Sequence, residues 1–225
     1  TLIDQAVRDR RWAQGNIQHL KLLGASGFHP TSRMQLLIGA SAYLMSPAWL
    51  VLIATSIAQS LSDDAATVHA VTSARVLAVT LVLLFGPKIL SMIWAMADRD
   101  RRASYGGVRG ILSSVALDVP LSILTAPVIA LTQTIDLINI VRGKPSGWNP
   151  QSRVRDGLAA ADAMPRYYWH WGVGLVLLGV SFLNPVLGAW LSPVTLGLLL
   201  APWLAMETAK VRPGEQLARK GVFAV

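Results

Sequence analysis

Residues 34–57 read MQLLIGASAYLMSPAWLVLIATSI, a run without a single charge. A helix rising about 1.5 Å per residue over that length exceeds the ~30 Å hydrocarbon core of a bilayer. Inside lipid, a helix satisfies its own backbone groups. The stretch therefore makes the chain a membrane protein. The remainder agrees: 53% of the 225 residues are hydrophobic, 14% are charged, and the mean hydropathy is +0.47, too apolar for an ordinary water-facing surface. The expected fold is an all-α membrane protein of about four transmembrane helices with amphipathic interfacial or re-entrant helices.

Outward from that run, residues 76–97 form a second expected span, with Gly86-Pro87-Lys88 near its middle. Proline removes a helix hydrogen bond there and lysine is costly in lipid, so a kink is expected. Residues 111–141 are apolar but hold Asp118, Pro120, Pro127 and Asp136, a poor fit to one straight lipid-facing helix. Residues 167–183 and 186–206 follow, divided by Asn184-Pro185, a turn-favouring dipeptide; they read as a tight helical hairpin. The organisation is an amphipathic interface segment (1–33), two spans (34–97), an interfacial or re-entrant segment with its loop (98–166), a transmembrane hairpin (167–206) and a basic tail (207–225).

Loop charge sets the orientation. Arg8, Arg10, Arg11, Lys21 and Arg33 precede the first span, whereas Asp63 and Asp64 follow it with Arg75 alone. The amino end is therefore expected in the cytoplasm. Arg99, Arg101, Arg102 and Arg109 return the chain to that side after two spans. A complete crossing by 111–141 would carry Arg142, Lys144, Arg153, Arg155, Arg166 and the tail cations Lys210, Arg212, Arg219 and Lys220 outside. An interfacial or re-entrant 111–141 keeps them inside, as does a split into two short crossings around residues 120–127. Both ends are thus expected in the cytoplasm.

The net charge of +8, from 20 Lys+Arg against 12 Asp+Glu, sits between apolar runs, a pattern of a membrane surface and not of nucleic-acid binding. With no cysteine there is neither disulfide nor thiolate site, and the four histidines form no ligand pattern, so no metal site is expected. The start Thr1-Leu2-Ile3 lacks Met and any signal-peptide pattern; the chain reads as cut from something longer.

The most informative short stretch is Arg8-Asp9-Arg10-Arg11-Trp12-Ala13-Gln14-Gly15-Asn16, on a segment whose Ile3, Val7, Ala13, Ile17 and Leu20 roughly follow helical spacing. Read plainly, it is a membrane-surface helix with arginines at headgroups and Trp12 in the interface. A second reading comes from the residues themselves. Arg8-x-x-Arg11-Trp12 matches the Q/R-x-x-R-W motif of processive family-2 glycosyltransferases. The wider string, with His29-Pro30, Tyr43-Leu44, Pro47, Pro87-Lys88, Leu90-Ser91, Tyr105-Gly106-Gly107 and Ala126-Pro127, resembles the glucans biosynthesis glucosyltransferase H family, which makes the backbone of osmoregulated periplasmic glucans. The resemblance is strongest over residues 8–30 and weakest after Ser146.

That resemblance implies the carboxy-terminal membrane region of a glucosyltransferase in the bacterial inner membrane. It implies polymerisation of glucose from UDP-glucose into a β-1,2-glucan and export of the growing chain. The family's soluble α/β domain, with its aspartates and a divalent cation (Mg or Mn), is missing from this sequence. Arg11 would meet the departing diphosphate, because a planar guanidinium pairs with phosphate oxygens. Trp12 would stack on the acceptor sugar, and Arg8 would support the motif one turn earlier, with Arg10 and Asp9 facing other surroundings or pairing locally. Lys88, the one cation deep inside a span, marks a polar path or an internal pair, with Asp118 as its candidate partner; snorkelling is the structural alternative. Trp49 and Trp94 could stack on a translocating glucan, although interfacial anchoring explains most tryptophans. Expected partners are membrane lipid, UDP-glucose and the growing glucan, with a homo-oligomer left open. A noncatalytic channel or transporter subunit is the competing reading, and a lipid-linked acyl or glycosyl transferase of unrelated fold is a third.

Overall fold

The computed structural model describes residues 1–60, 70–144 and 157–223. Among the described residues all regular elements are helical. In chain order they are α1 (Leu2–His19), α2 (Pro30–Ser60), α3 (Ala70–Ala97), α4 (Arg99–Ser104), α5 (Gly107–Val141), α6 (Ala160–Ala163), α7 (Tyr168–Leu183), α8 (Pro185–Leu199), α9 (Ala201–Thr208) and α10 (Val211–Arg219). The all-α membrane fold expected from the sequence is the fold observed. By length and apolarity, three helices can cross a bilayer: α2, the Ala78–Ala97 part of α3, and α5. The α8–α9 pair makes a fourth if counted as one span bent by 55°. Their outward side chains stay uncovered by protein, as with Leu83 at 73% and Val186 at 71% exposure. So much exposed aliphatic surface is a lipid-facing surface.

Two segments differ in detail from the sequence expectation. Residues 186–206 do not form one helix. The chain bends at Leu200, where Pro202, lacking an N–H, cannot bond the carbonyl four residues back. Residues 111–141, by contrast, lie inside one unbroken helix of 35 residues. Pro120 and Pro127 do not end it, so it holds no chain reversal and no division into two short crossings. The aspartates Asp63 and Asp64, together with Arg153, Arg155 and Trp148, fall outside the described residues.

The chain forms two units, the first made of Thr1–Ser60 with Ile123–Ala209 and the second of Leu61–Ser122 with Lys210–Val225. In the first, α7 and α8 pack as a hairpin, as Asn184-Pro185 predicts. Asn184 closes the turn by accepting from the Leu187 N–H at 3.1 Å while its amide donates to Ser60 Oγ at 2.7 Å. Gly188 lets the arms approach, because a Cβ there would lie 2.7 Å from the Ser181 Cα. One core layer joins Leu131, Leu177, Leu191 and Leu198, with Leu50, Ile53 and Ile57 of α2 against it. A second joins Val128, Tyr167, Ala201, Leu204 and Ala205, and Leu2 of α1 packs there.

In the second unit, Asp98 caps α4 by accepting from the Arg101 amide at 2.8 Å, and that bond holds its carboxyl below the usual carboxylate range. Arg101 and Arg102 donate to the carbonyls of Trp94 and Met96 at 3.0 and 3.3 Å, satisfying the end of α3. The tail folds back after α10. Gly221 meets Gly106 backbone to backbone, both at positive φ, and the Phe223 N–H donates to Ser114 Oγ at 2.8 Å.

Candidate functional site

The site is built on α1. Thr1 opens the helix by accepting from the Asp4 N–H at 3.1 Å, and the apolar residues of the segment then seat one face on protein. Ala13 is buried there, and Ala40 on α2 is buried as well. Gly39 lies directly under the Asn16 side chain, where any Cβ would collide; Asn16 in turn donates to the Trp12 carbonyl at 2.9 Å. The connection to α2 is tied by Arg33, which donates to the carbonyls of Leu23, Ala25 and Phe28. His29 Nδ1 accepts from the Thr31 N–H at 3.3 Å, and Pro30 begins α2. Together with Arg33, the His29-Pro30 part of the string thus fixes the connection between α1 and α2.

The arginine cluster is divided between opposite faces of α1, since residues 8 and 12 stack one turn apart while residue 10 points away from both. Trp12 is 57% exposed, with the Arg8 guanidinium 5.0 Å from its ring centroid, a cation–π contact. Arg8 also pairs with Asp9 at 3.4 Å. Arg11 is half-buried on the same helix, between the two faces. The motif residues Arg8, Arg11 and Trp12 thus stay together, with Arg8 and Trp12 on an open surface.

Arg10 takes the other direction. It forms an ion pair at 3.5 Å with Asp136 of α5 and donates to the Lys144 carbonyl at 3.4 Å. Arg10 and Asp9 are expected to face other surroundings or to pair locally: Asp9 pairs with its neighbour Arg8, and Arg10 makes a long-range link whose partner sequence spacing could not show. The signal was present all the same, because Asp136 sits in an apolar run and needs a counter-charge. Beside this pair lies a cavity of about 730 Å³. Its wall carries Arg142, Lys144, Arg166 and the aromatic run Tyr167-Tyr168-Trp169-His170. His170 is 2% exposed; its Nε2 sits 3.1 Å from the Val128 carbonyl and 3.0 Å from Thr132 Oγ1.

The remaining sequence candidates lie on α2, α3 and α5. Lys88 of α3 forms an ion pair with Asp118 of α5 and a 3.0 Å hydrogen bond with Ser122 Oγ, so the pairing suggested by burial logic is present. The helix continues through Gly86-Pro87. Trp94 has the Arg101 guanidinium 4.1 Å from its ring centroid, which covers one face of the indole. Trp49 is partly exposed on α2 and joins neither group. Among the described residues no three His, Cys, Asp or Glu side chains converge on a metal-sized site.

Comparison with known proteins follows this geometry. No family model and no solved structure matches the chain. It is 34% identical, over 241 aligned positions, to the glucans biosynthesis glucosyltransferase H proteins of Shewanella baltica, Shewanella oneidensis and Shewanella putrefaciens. Each alignment covers 100% of this chain and 33% of the relative, so the chain spans about a third of the length of the curated proteins it matches. The likeness runs from end to end of this chain, through the arginine–tryptophan string and the apolar helices alike, so over its whole length the chain is similar to a part of the glucans biosynthesis glucosyltransferase H proteins.

Proposed function

We propose that this chain is the membrane part of a processive family-2 glucosyltransferase that builds a β-1,2-glucan from UDP-glucose and passes it across the bacterial inner membrane. The observation that carries the reading is the end-to-end likeness to glucosyltransferases, joined to an Arg8-x-x-Arg11-Trp12 string held open on a helix docked against the membrane bundle. Transfer of glucose breaks the bond between the anomeric carbon and the diphosphate while the acceptor hydroxyl attacks. Negative charge grows on the departing UDP, and a guanidinium offers it paired N–H donors. Arg11 is assigned that contact.

Trp12 presents an indole face for the apolar side of the acceptor sugar, which orients its hydroxyl toward the donor. Arg8, stacked on the same ring, limits the rotamers of Trp12 and acts as a positioning residue. Among the described residues no ligand set fits the divalent cation that such enzymes use, so no step is assigned to it. For export, Lys88, Asp118 and Ser122 supply a polar contact inside an otherwise apolar pair of helices. Trp49 is a candidate stacking platform, whereas Arg101 already takes one face of Trp94, which favours an anchoring role there.

The test uses the full-length enzyme in membranes supplied with UDP-glucose. Trp12→Ala and Arg11→Ala should each lower polymer synthesis by roughly 100-fold or more at normal membrane insertion. Near-normal synthesis by both would return the motif to a lipid-anchoring role.

A further inference from the structure

The cavity behind α1 lies on the Arg10 side of the helix, away from the Arg8–Trp12 face. Among its lining residues four cations, Arg10, Arg142, Lys144 and Arg166, face one carboxylate, that of Asp136. One ion pair accounts for Asp136 and Arg10, which leaves the wall strongly positive.

We propose that this cavity binds a phosphate-bearing ligand, its phosphate held by Arg142, Lys144 and Arg166. Guanidinium groups pair with phosphate oxygens in bidentate fashion, and a volume near 730 Å³ is within the usual range for a small-molecule site. Two sources share this chemistry: the headgroup of an anionic lipid such as phosphatidylglycerol, and a soluble phosphate or diphosphate.

The experiment places the protein in phosphatidylcholine nanodiscs doped with phosphatidylglycerol and measures retained lipid by native mass spectrometry; a parallel arm titrates pyrophosphate in phosphatidylcholine alone. The comparison is wild type against Arg142→Gln/Arg166→Gln, with Arg212→Gln/Arg219→Gln on the exposed α10 as a charge-matched control. Hydrogen exchange of α1 verifies that each variant is folded. A loss of about tenfold in phosphatidylglycerol retention, confined to the cavity variant, supports the site and names lipid as its occupant. The same loss in pyrophosphate affinity supports it with a soluble occupant. Equal behaviour of wild type and cavity variant in both arms, or an equal loss in the α10 control, overturns the proposal.

Discussion

Breaking the Arg10–Asp136 pair should loosen α1 from the bundle. The two side chains are 28% and 16% exposed, and their charged atoms stand 3.5 Å apart. Removing one partner of a fully buried pair costs about 3–5 kcal/mol because the other charge is stranded, whereas a fully exposed pair contributes about 0–1 kcal/mol. This pair falls between them, so Asp136→Ala should cost about 2 kcal/mol. At 1.4 kcal/mol per decade, that is roughly a 30-fold rise in the open population of α1. Replacing both residues by leucine removes the stranded guanidinium and should recover most of the loss. Amide hydrogen exchange on nanodisc-embedded protein reads the opening directly through α1 amides, while those of the α7–α8 hairpin serve as an internal reference. If Asp136→Ala leaves exchange of α1 unchanged, or if the double leucine variant exchanges as fast as the single one, the pair does not anchor the helix.

Other outcomes follow from the same geometry. Gly188→Leu should separate the α7–α8 arms, because its Cβ would meet the Ser181 backbone; a loss of about 1–3 kcal/mol, read as a lower midpoint of thermal unfolding in detergent, is expected, with Gly179→Leu, which has open space, near wild type. The sequence has no cysteine, so single cysteines at positions 101, 144 and 220 can be probed with an impermeant thiol reagent. All three should be protected from the outside, and labelling at 144 would sink the interfacial reading of α5. Lys88→Leu should reduce glucan appearance outside the membrane more than UDP release, because it strands Asp118; equal export rates for the variant and wild type would refute a role in the polymer path.

The fold was largely legible because its signals are local and coarse. A charge-free run as long as residues 34–57 can be little else than a span, and Asn184-Pro185 announces its turn by chemistry that the structure repeats. The Lys88–Asp118 pair was also within reach, since a charge in an apolar helix demands a partner and few are available. The same logic applied to Asp136 would have asked for a cation, but several arginines compete for that role near α1, and only the three-dimensional packing selects Arg10. The cavity was invisible for a related reason: Arg10, Arg142 and Arg166 come from separate segments, and no spacing rule joins them. The bend at Leu200 was missed because hydropathy is blind to a single missing N–H.

The cavity also bears on how the chain threads the membrane. Arg142, Lys144 and Arg166 share its wall with Arg10, and the Lys144 carbonyl accepts from the Arg10 guanidinium. These cations therefore lie on the same side of the bilayer as α1, whichever side that is. At the far end of α2, Ser60 meets the turn at Asn184, and residues 182–186, Phe-Leu-Asn-Pro-Val, carry no charge. One end of the first unit is thus cationic and the other neutral, the asymmetry that loop charge imposes on membrane proteins with their basic side in the cytoplasm. An even number of crossings must separate Arg10 from Arg142. Within the first unit α5 offers Asp136 to Arg10, and within the second it offers Asp118 to Lys88, so that one helix bears a carboxylate for each of two partly exposed cations.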